Sequence, residues 1–389
     1  MHRAGEMAYQ KTHYPRDPGI PAWMVMAVLT LVPLTGGLAT AQEPATSYSV
    51  LYNFAQGGSW GPGFGPLVQD AAGNLYGTTI DGGTSSCGVV YELSADGTYI
   101  VLHNFTCGYY GEYPYYVYAV DIPTGTETVL YTFDGSDGRE PSSGLVQDQA
   151  GNLYGCRFRG GYEKGYGVLY KLDPDTQTQT VLYKFKNSGD GGGPSGNLTL
   201  DATGTVLYGT AISGGASGFG VVFSLALETD TYSVLHSFTG GLDGWGPNGF
   251  LTVGEGGVLL GATDAGGNNG FSSFGHGYGV VFELFPTTGK ETVLHTLSGG
   301  PDGGFPEAGV VLSNSSTLVG TTETGGANGM GTIFQVDPTT GTETVLHSFD
   351  GTDGANPFSA LFQDSEGNFY GTTTYGGLRN LGVIFKLTP

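Results

Sequence analysis

One phrase constrains this chain more than anything else in it. Gly73-Asn74-Leu75-Tyr76-Gly77-Thr78-Thr79 returns as Gly151-Asn152-Leu153-Tyr154-Gly155 and as Leu207-Tyr208-Gly209-Thr210. It fades to Leu259-Leu260-Gly261-Ala262-Thr263 and Leu318-Val319-Gly320-Thr321-Thr322, then is restored at Gly367-Asn368-Phe369-Tyr370-Gly371-Thr372-Thr373. Self-similarity at a period near fifty residues means stacked supersecondary units that form one body. The 389 residues include 72 glycines, which alone would suggest disorder, but 12% are aromatic and 39% hydrophobic, and the glycines fall between short apolar runs. That is the composition of many short strands joined by tight turns.

Each unit carries four strand-like runs, here a to d. In the first unit they are Pro66–Asp70, Asn74–Thr79, Gly88–Leu93 and Tyr99–Phe105, all rich in β-branched and aromatic residues and bounded by Gly, Asp, Asn or Pro. No helical periodicity follows residue 48. Strand d starts from Val50, Val101, Val129, Val181, Val234, Val293 and Val345, at spacings of 51, 28, 52, 53, 59 and 52. The short interval lacks an a–b hairpin and carries Tyr109 to Tyr118 instead. The chain opens on an orphan strand d, Tyr48–Phe54, and stops at Lys386-Leu387-Thr388-Pro389, where the turn into another strand d should begin. The surplus matches the deficit. The expected fold is therefore all-β: a β-propeller of six full four-stranded blades plus one reduced, seventh blade between Thr106 and Phe133. Its ring is closed by the N-terminal strand completing the last blade. A six-bladed ring with an added hairpin is the alternative.

The pattern G-L-x-x-D-x-x-G-N-L-Y-G-T-T-x-x-G-G-x-x-x-x-G-x-V-F-x-L, followed by T-x-T-V-L-x-x-F, resembles the bacterial GloVer tandem repeat over about Tyr48 to Pro389. The resemblance implies an exported bacterial repeat protein of unknown biochemical role, with no catalytic residues to carry over. An exported chain agrees with residues 1–41. Arg3, Lys11 and Arg16 precede an apolar run from Ala22 to Leu34, and Ala39-x-Ala41 fits a signal-peptidase site. A start at Met7, or retention of the leader as an anchor, stays open. The expected order is leader 1–41, linker 42–47 and a single propeller domain 48–389. Its expected place is secreted, periplasmic or at the cell surface, as a monomer with no membrane span in the mature chain.

The formal net charge of −22 repels phosphate backbones, which argues against a nucleic-acid partner. In a four-stranded blade the a–b and c–d turns share one face. The b–c loops and d-to-a crossings share the other, where long variable loops put binding residues. On that loop face an Asp-Gly pair recurs in the crossings, at Asp137, Asp190, Asp243, Asp302 and Asp353. It reads as an Asp-Gly turn in which Asp bonds its own backbone, or as a ring of oxygen ligands for Ca²⁺. No cofactor is required by any motif. Trp60 and Trp245 occupy matching crossings and suit either sugar stacking or packing beneath a loop. His276 lies in the longest b–c loop, Gly266 to Gly279, and Tyr113 in the tyrosine segment. His103, His236, His295 and His347 share one strand-d position with Tyr52, Tyr131 and Tyr183, an exchange that indicates half-buried packing.

Cys87 and Cys107 lie symmetrically about Gly97, which would make them facing partners in the c–d hairpin and so a disulfide suited to an oxidising compartment. Cys156 replaces a repeat Thr and reads as a buried free thiol. Three functions remain: an extracellular binder of a polysaccharide or surface protein, a propeller enzyme such as a polysaccharide lyase or hydrolase, or a structural envelope component. The fold decides among none of them.

Overall fold

The computed structural model describes residues 46–389 except 56–58, 63–64, 106–115, 122–125, 133–138, 142–143, 160–164 and 268–276. Six antiparallel sheets follow one another in a β-propeller, each with the order a-b-c-d. Numbered as blades in chain order, their b, c and d strands are as follows. Blade one has Leu75–Gly82, Val89–Leu93 and Tyr99–Asn104. Blade two has Leu153–Arg159, Val168–Asp173 and Thr178–Lys184. Blade three has Val206–Ser213, Val221–Ala226 and Thr231–Ser237. Blade four has Leu259–Thr263, Val280–Phe285 and Lys290–Thr296. Blade five has Leu318–Thr322, Thr332–Val336 and Glu343–Ser348. Blade six has Phe369–Thr373 and Val383–Thr388, and its fourth strand is Ser47–Asn53 from the other end of the described chain. Between blades one and two lies a two-stranded sheet, Tyr116–Asp121 with Thr126–Thr132. Val120 packs against the core beside blade one, and Leu130 and Tyr131 against that of blade two.

Strand a is short, often two residues such as Val68–Gln69 or Phe362–Gln363. The crossing before it also pairs with strand b, as Ser59–Pro62, Arg139–Pro141 and Gly192–Pro194 in the first three blades. Blades four to six keep a single bridge there, such as Trp245 with Ala265. This extra pairing was not read from the sequence, because the crossings are Gly- and Pro-rich and carry no alternation.

The repeat phrase has a physical cause at each position. The Asp70 carboxylate accepts from the Ala72 and Asn74 amides (both 2.9 Å), from Asn74 Nδ2 (2.9 Å) and from the Tyr76 hydroxyl (2.8 Å). Asp148 and Asp364 repeat the same four bonds with Asn152 and Tyr154 and with Asn368 and Tyr370. The a–b turn is thus an Asp knot, and Asn and Tyr are in the phrase because they donate to it. The central Gly of strand b leaves room for the strand-c ring. A Cβ on Gly320 would lie 2.8 Å from Phe334 Cζ and 3.1 Å from Val310, and Gly371 is crowded in the same way by Phe385 and Leu361. Phe334 and Phe385 are fully buried, each stabilising by roughly 2–3 kcal/mol. In strand d the bulge falls at the Leu of Val-Leu-His/Tyr in blades one to five, as in the step from Ile333 to Phe334 opposite Leu346. A bulge twists the strand and re-aims the next side chain.

The register of the c–d hairpin in blade one corrects one expectation. Pairing symmetric about Gly97 would set Val89 opposite Phe105, but Val89 pairs with Asn104 and Leu93 with Tyr99. The turn Ser94–Thr98 is tighter than the symmetric reading assumed, and Leu102 then restores one residue. Cys87 is fully buried, and Cys107 lies outside the described residues. Cys156 is a buried free thiol, as expected. No helix among the described residues is long and apolar enough to cross a membrane.

Gly320→Ala is expected to destabilise the protein by about 1–3 kcal/mol, because the added methyl must displace Phe334 or Val310. Gly204→Ala places its methyl in open space and serves as the control, carrying only the cost of its positive φ. Denaturant melts of the two variants give the comparison.

Candidate functional site

The b–c loops and d-to-a crossings meet on one face, as the connection order requires. Main-chain bonds join them in blades three to six: the amides of Gly215, Gly267, Gly326 and Gly377 donate to the carbonyls of Ser188, Gly241, Gly300 and Gly351 at 2.7–3.0 Å. These glycines are the second members of the Gly pairs and have φ between 70° and 80°, which explains why each loop carries one.

The recurrent crossing aspartates are held in their own turns. Asp190 accepts from the Lys186 amide (3.0 Å), the Ser188 amide (3.1 Å) and hydroxyl (2.9 Å), and the Tyr183 hydroxyl (2.9 Å). Asp243 and Asp302 accept the amide and hydroxyl of Thr239 and of Ser298. Asp353 accepts the Asp350 amide (2.9 Å) and lies 2.8 Å from His347 Nε2. The Asp-Gly turn therefore accounts for these four carboxylates. It also explains the His/Tyr exchange on strand d: either residue can place a polar ring atom against the aspartate, with His236 Nε2 3.4 Å from Asp243 and His295 Nε2 3.7 Å from Asp302. No group of three His, Cys, Asp or Glu side chains among the described residues is placed to hold a metal. Trp245 is half-buried, edge-on to Phe219 at 5.5 Å, and its main chain ladders with Ala265, so it packs beneath the loop. Trp60 sits in Ser59–Pro62 opposite Asp81, with its backbone alone described. Asp137, His276 and Tyr113 lie outside the described residues.

The same face holds a cluster that the sequence reading missed. Where strand b leaves the sheet, the units have Ile80, Phe158, Ile212 and Thr374, but Asp264 in blade four and Glu323 in blade five. After the crossing proline they have Gly63, Ser142, Ser195 and Phe358, but Asn248 and Glu307 in these same two blades. The fold brings the exceptions together. Asn248 Nδ2 donates to the Glu307 carboxylate, and Glu307 shares a hydrogen bond with Asp264. Burial raises the Glu307 carboxyl well above its ordinary range, and the charges of Asp264 and Glu323 push it further. Burial raises Asp264 too, against the bond from Glu307. Both carboxyls are therefore shifted toward the protonated form, Glu307 the more strongly. The signal available in the sequence was a break in the repeat at two aligned positions of two adjacent units.

With this geometry in view, the chain can be placed. The model of the Gloeobacter/Verrucomicrobia repeat matches residues 116–276 and 270–389. The chain belongs to the Gloeobacter/Verrucomicrobia repeat family. No curated protein matches this member of the family. Among solved structures, an oligogalacturonate lyase in complex with manganese is similar to 90% of this chain and 98% of its own, at 11% identity and a TM-score of 0.51. An oligogalacturonate lyase from Vibrio parahaemolyticus (9% identity, 90% and 98% covered, TM-score 0.47) and TolB from Acinetobacter baumannii (12% identity, 82% and 78% covered, TM-score 0.39) are more distant in shape. At these identities the likeness to solved structures concerns the propeller fold alone. The Gloeobacter/Verrucomicrobia repeat thus supplies the Asp knots and Gly pairs, while Asn248, Asp264, Glu307 and Glu323 are this chain's departures from its own repeat.

Asp190→Ala leaves the Lys186 and Ser188 amides without their acceptor and is expected to destabilise by about 1–2 kcal/mol. Removal of divalent cations with EDTA is expected to leave the melting temperature of the native protein unchanged. A fall of several degrees would reveal a cation that these turns do not account for.

Proposed function

We propose that this protein is exported and binds a hydroxyl-rich extracellular ligand, a glycan or the surface of a glycan-bearing protein, on its loop face. The observation that carries this reading is the convergence of Asn248, Asp264 and Glu307 at the seam between blades four and five, where the other units have apolar or small residues. A carboxylate, a protonated carboxyl and an amide side by side offer acceptors and donors to neighbouring hydroxyls. Apolar side chains on the same face could supply contact area. Leu378 is 84%, Leu242 64% and Tyr375 50% exposed. In this reading Trp245 supports the loop and does not stack on sugar, while His276 in the adjoining loop is a candidate contact. The hairpin 116–132 serves as a reduced seventh blade, and strand Ser47–Asn53 fastens the ring. Residues 1–41 act as the export leader.

A second reading as a polysaccharide lyase or hydrolase has one specific observation in its favour. Two neighbouring carboxyls that hold a shared proton are the chemical requirement for general acid–base work. A polysaccharide array scored for both binding and product release separates the two. Binding without product is expected, weakened about tenfold by Asn248→Ala or Glu307→Gln, which corresponds to one good hydrogen bond lost. Product release abolished by Glu307→Gln would replace the binding reading with the enzymatic one. No binding to any glycan, or binding untouched by both substitutions, would overturn the assignment of the site.

The Cys87–Cys107 disulfide belongs to the same proposal, since an exported chain meets an oxidising compartment. Non-reducing peptide mapping is expected to recover the two cysteines in one linked peptide pair. Both free in protein secreted from its natural host would remove the disulfide.

A further inference from the structure

Cations are rare in this chain, and most of them are gathered in one blade. Of the 13 Lys and Arg, ten follow residue 41, and seven of those lie between Arg139 and Lys186. The same stretch holds five acids, so it is net positive in a chain of −22. Three of these acids belong to the turn face. Asp148 is tied into its a–b knot, and Asp173 and Asp175 lie in the c–d turn, where Asp173 accepts the Asp175 and Thr176 amides. Four of the cations meet at the other end of the sheet, on the loop face.

Strand b of blade two ends on Arg157-Phe158-Arg159, which sets both arginines on one face of the strand. Arg139 in the crossing is directly opposite Arg159. Lys184 of strand d is aligned with Arg157 through Val168 of strand c. This face of blade two is turned to the two-stranded sheet: Leu153, Tyr170 and Leu172 pack there with Leu130 and Tyr131. Arg157 is fully buried. Burial raises the Tyr170 hydroxyl above its ordinary range and the charge of Arg157 opposes that shift, which places the guanidinium on the same side. The two-stranded sheet has no strand a or b among the described residues, so no inner strand of a preceding blade stands against Arg157 and Arg159 there.

The repeat does not call for these cations. At the position of Arg157, blades one, four, five and six have Thr79, Thr263, Thr322 and Thr373. Their hydroxyls accept the amides of Val89, Val280, Thr332 and Val383 at 3.0–3.2 Å. A guanidinium has no acceptor atom, so blade two gives that bond up. The register pair Arg139–Arg159 corresponds to Trp60–Asp81 in blade one, Gly192–Ser213 in blade three and Trp245–Ala265 in blade four. Like charges at directly opposed positions destabilise a sheet. An oxyanion held between them turns that repulsion into attraction.

We propose that Arg139, Arg159 and Lys184, with the buried charge of Arg157 behind them, form an oxyanion site at the loop-face end of blade two, and that the oxyanion is a carboxylate or sulfate group of an acidic polysaccharide. The guanidinium fork matches the paired oxygens of either group. The acidic remainder of the surface repels a polyanion, so the field directs such a ligand to this patch. The oxyanion site stands on the placement of the cations alone; the polysaccharide as its carrier rests on the glycan reading above.

The test is binding of the full chain to a polyuronate, to a sulfated glucan and to the neutral glucan from which it is made, with inorganic sulfate as a small probe at constant ionic strength. At least one acidic polymer is expected to bind about tenfold or more tightly than the neutral one, and the combined Arg139→Gln and Arg159→Gln variant to lose that preference. Which acidic polymer is preferred tells a carboxylate ligand from a sulfate. Should the double variant fail to fold, either single variant carries the test, with a loss of about tenfold. Sulfate binding that depends on the two arginines, with no polymer bound, would keep the site and remove the glycan reading. A neutral polymer bound as tightly as the acidic ones, an acidic preference that survives in the variants, or no anion bound at all would overturn the site.

Discussion

The structure depends on one repeated main-chain contact, made by the crossing residue just before its proline. In this residue the N–H reaches back to the preceding blade while the carbonyl receives a bond from its own strand b. Gly246 donates to Phe219 of blade three and accepts from Asp264 of blade four. Phe305 donates to Tyr278 and accepts from Glu323, and Asn356 donates to Met330 and accepts from Thr374, all at 2.9–3.1 Å. Facing two ways at once requires a positive φ: 64° at Gly246, 61° at Phe305 and 51° at Asn356. Glycine does this freely and asparagine at little cost, whereas Phe305 bears a strain of about 1–3 kcal/mol. The ring of Phe305, 5.5 Å from that of Tyr278, offsets part of it by joining the packing across the seam. The proline that follows fixes the next φ and directs the chain inward.

Given that strap, the rest of the loop face has little freedom. The Gly pair must turn within reach of the crossing, and the aspartate must close the crossing on itself. A carboxylate that already accepts three or four hydrogen bonds, as Asp190 does, has few lone pairs left for a cation. What recurs in every blade is therefore what builds the blade. Chemistry directed at something outside the chain has to come from positions that do not recur, and a polar break shared by two adjacent units falls on the loop face at Asn248, Asp264, Glu307 and Glu323.

Much of this was legible in the sequence. The order of strands a to d within each blade and the two faces followed from spacing and turn residues. The pairing of Ser47–Asn53 with Val383–Thr388 agrees with the match between the surplus strand d at Tyr48 and the missing strand at the other end. Cys156 as a buried thiol was also within reach. The register of the Cys87 hairpin was not, because the tight turn Ser94–Thr98 moves the centre of the hairpin away from Gly97 and the bulge at Leu102 gives back one residue of that shift without a Gly or Pro to mark it. Nor was the partner of the strand-d histidines. A His/Tyr exchange reads as packing until the fold shows an aspartate against both, at Tyr183–Asp190 and His347–Asp353. The inner carboxyl pair escaped for a different reason. Asp264 and Glu307 are forty-three positions apart by their numbering, and only the stacking of consecutive blades makes them neighbours.

A seam between blades can be closed by stacked rings, which are insensitive to protons, or by facing acids, which are not. This chain uses both: Tyr48 stacks on His347 with ring centroids 3.8 Å apart, and Asp264 meets Glu307. The arrangement is costly for stability alone. Paired carboxyls buried at an interface stabilise less than the Tyr48–His347 stack, and they work against folding once ionised. At Glu127 the acid has His103 for a partner at 3.2 Å. At the blade-four to blade-five seam the inner pair, Asp264 and Glu307, has Asn248 and a third acid, Glu323, beside it. A group that donates hydrogen bonds to that pair would relieve the repulsion, and a hydroxyl-bearing ligand is such a group.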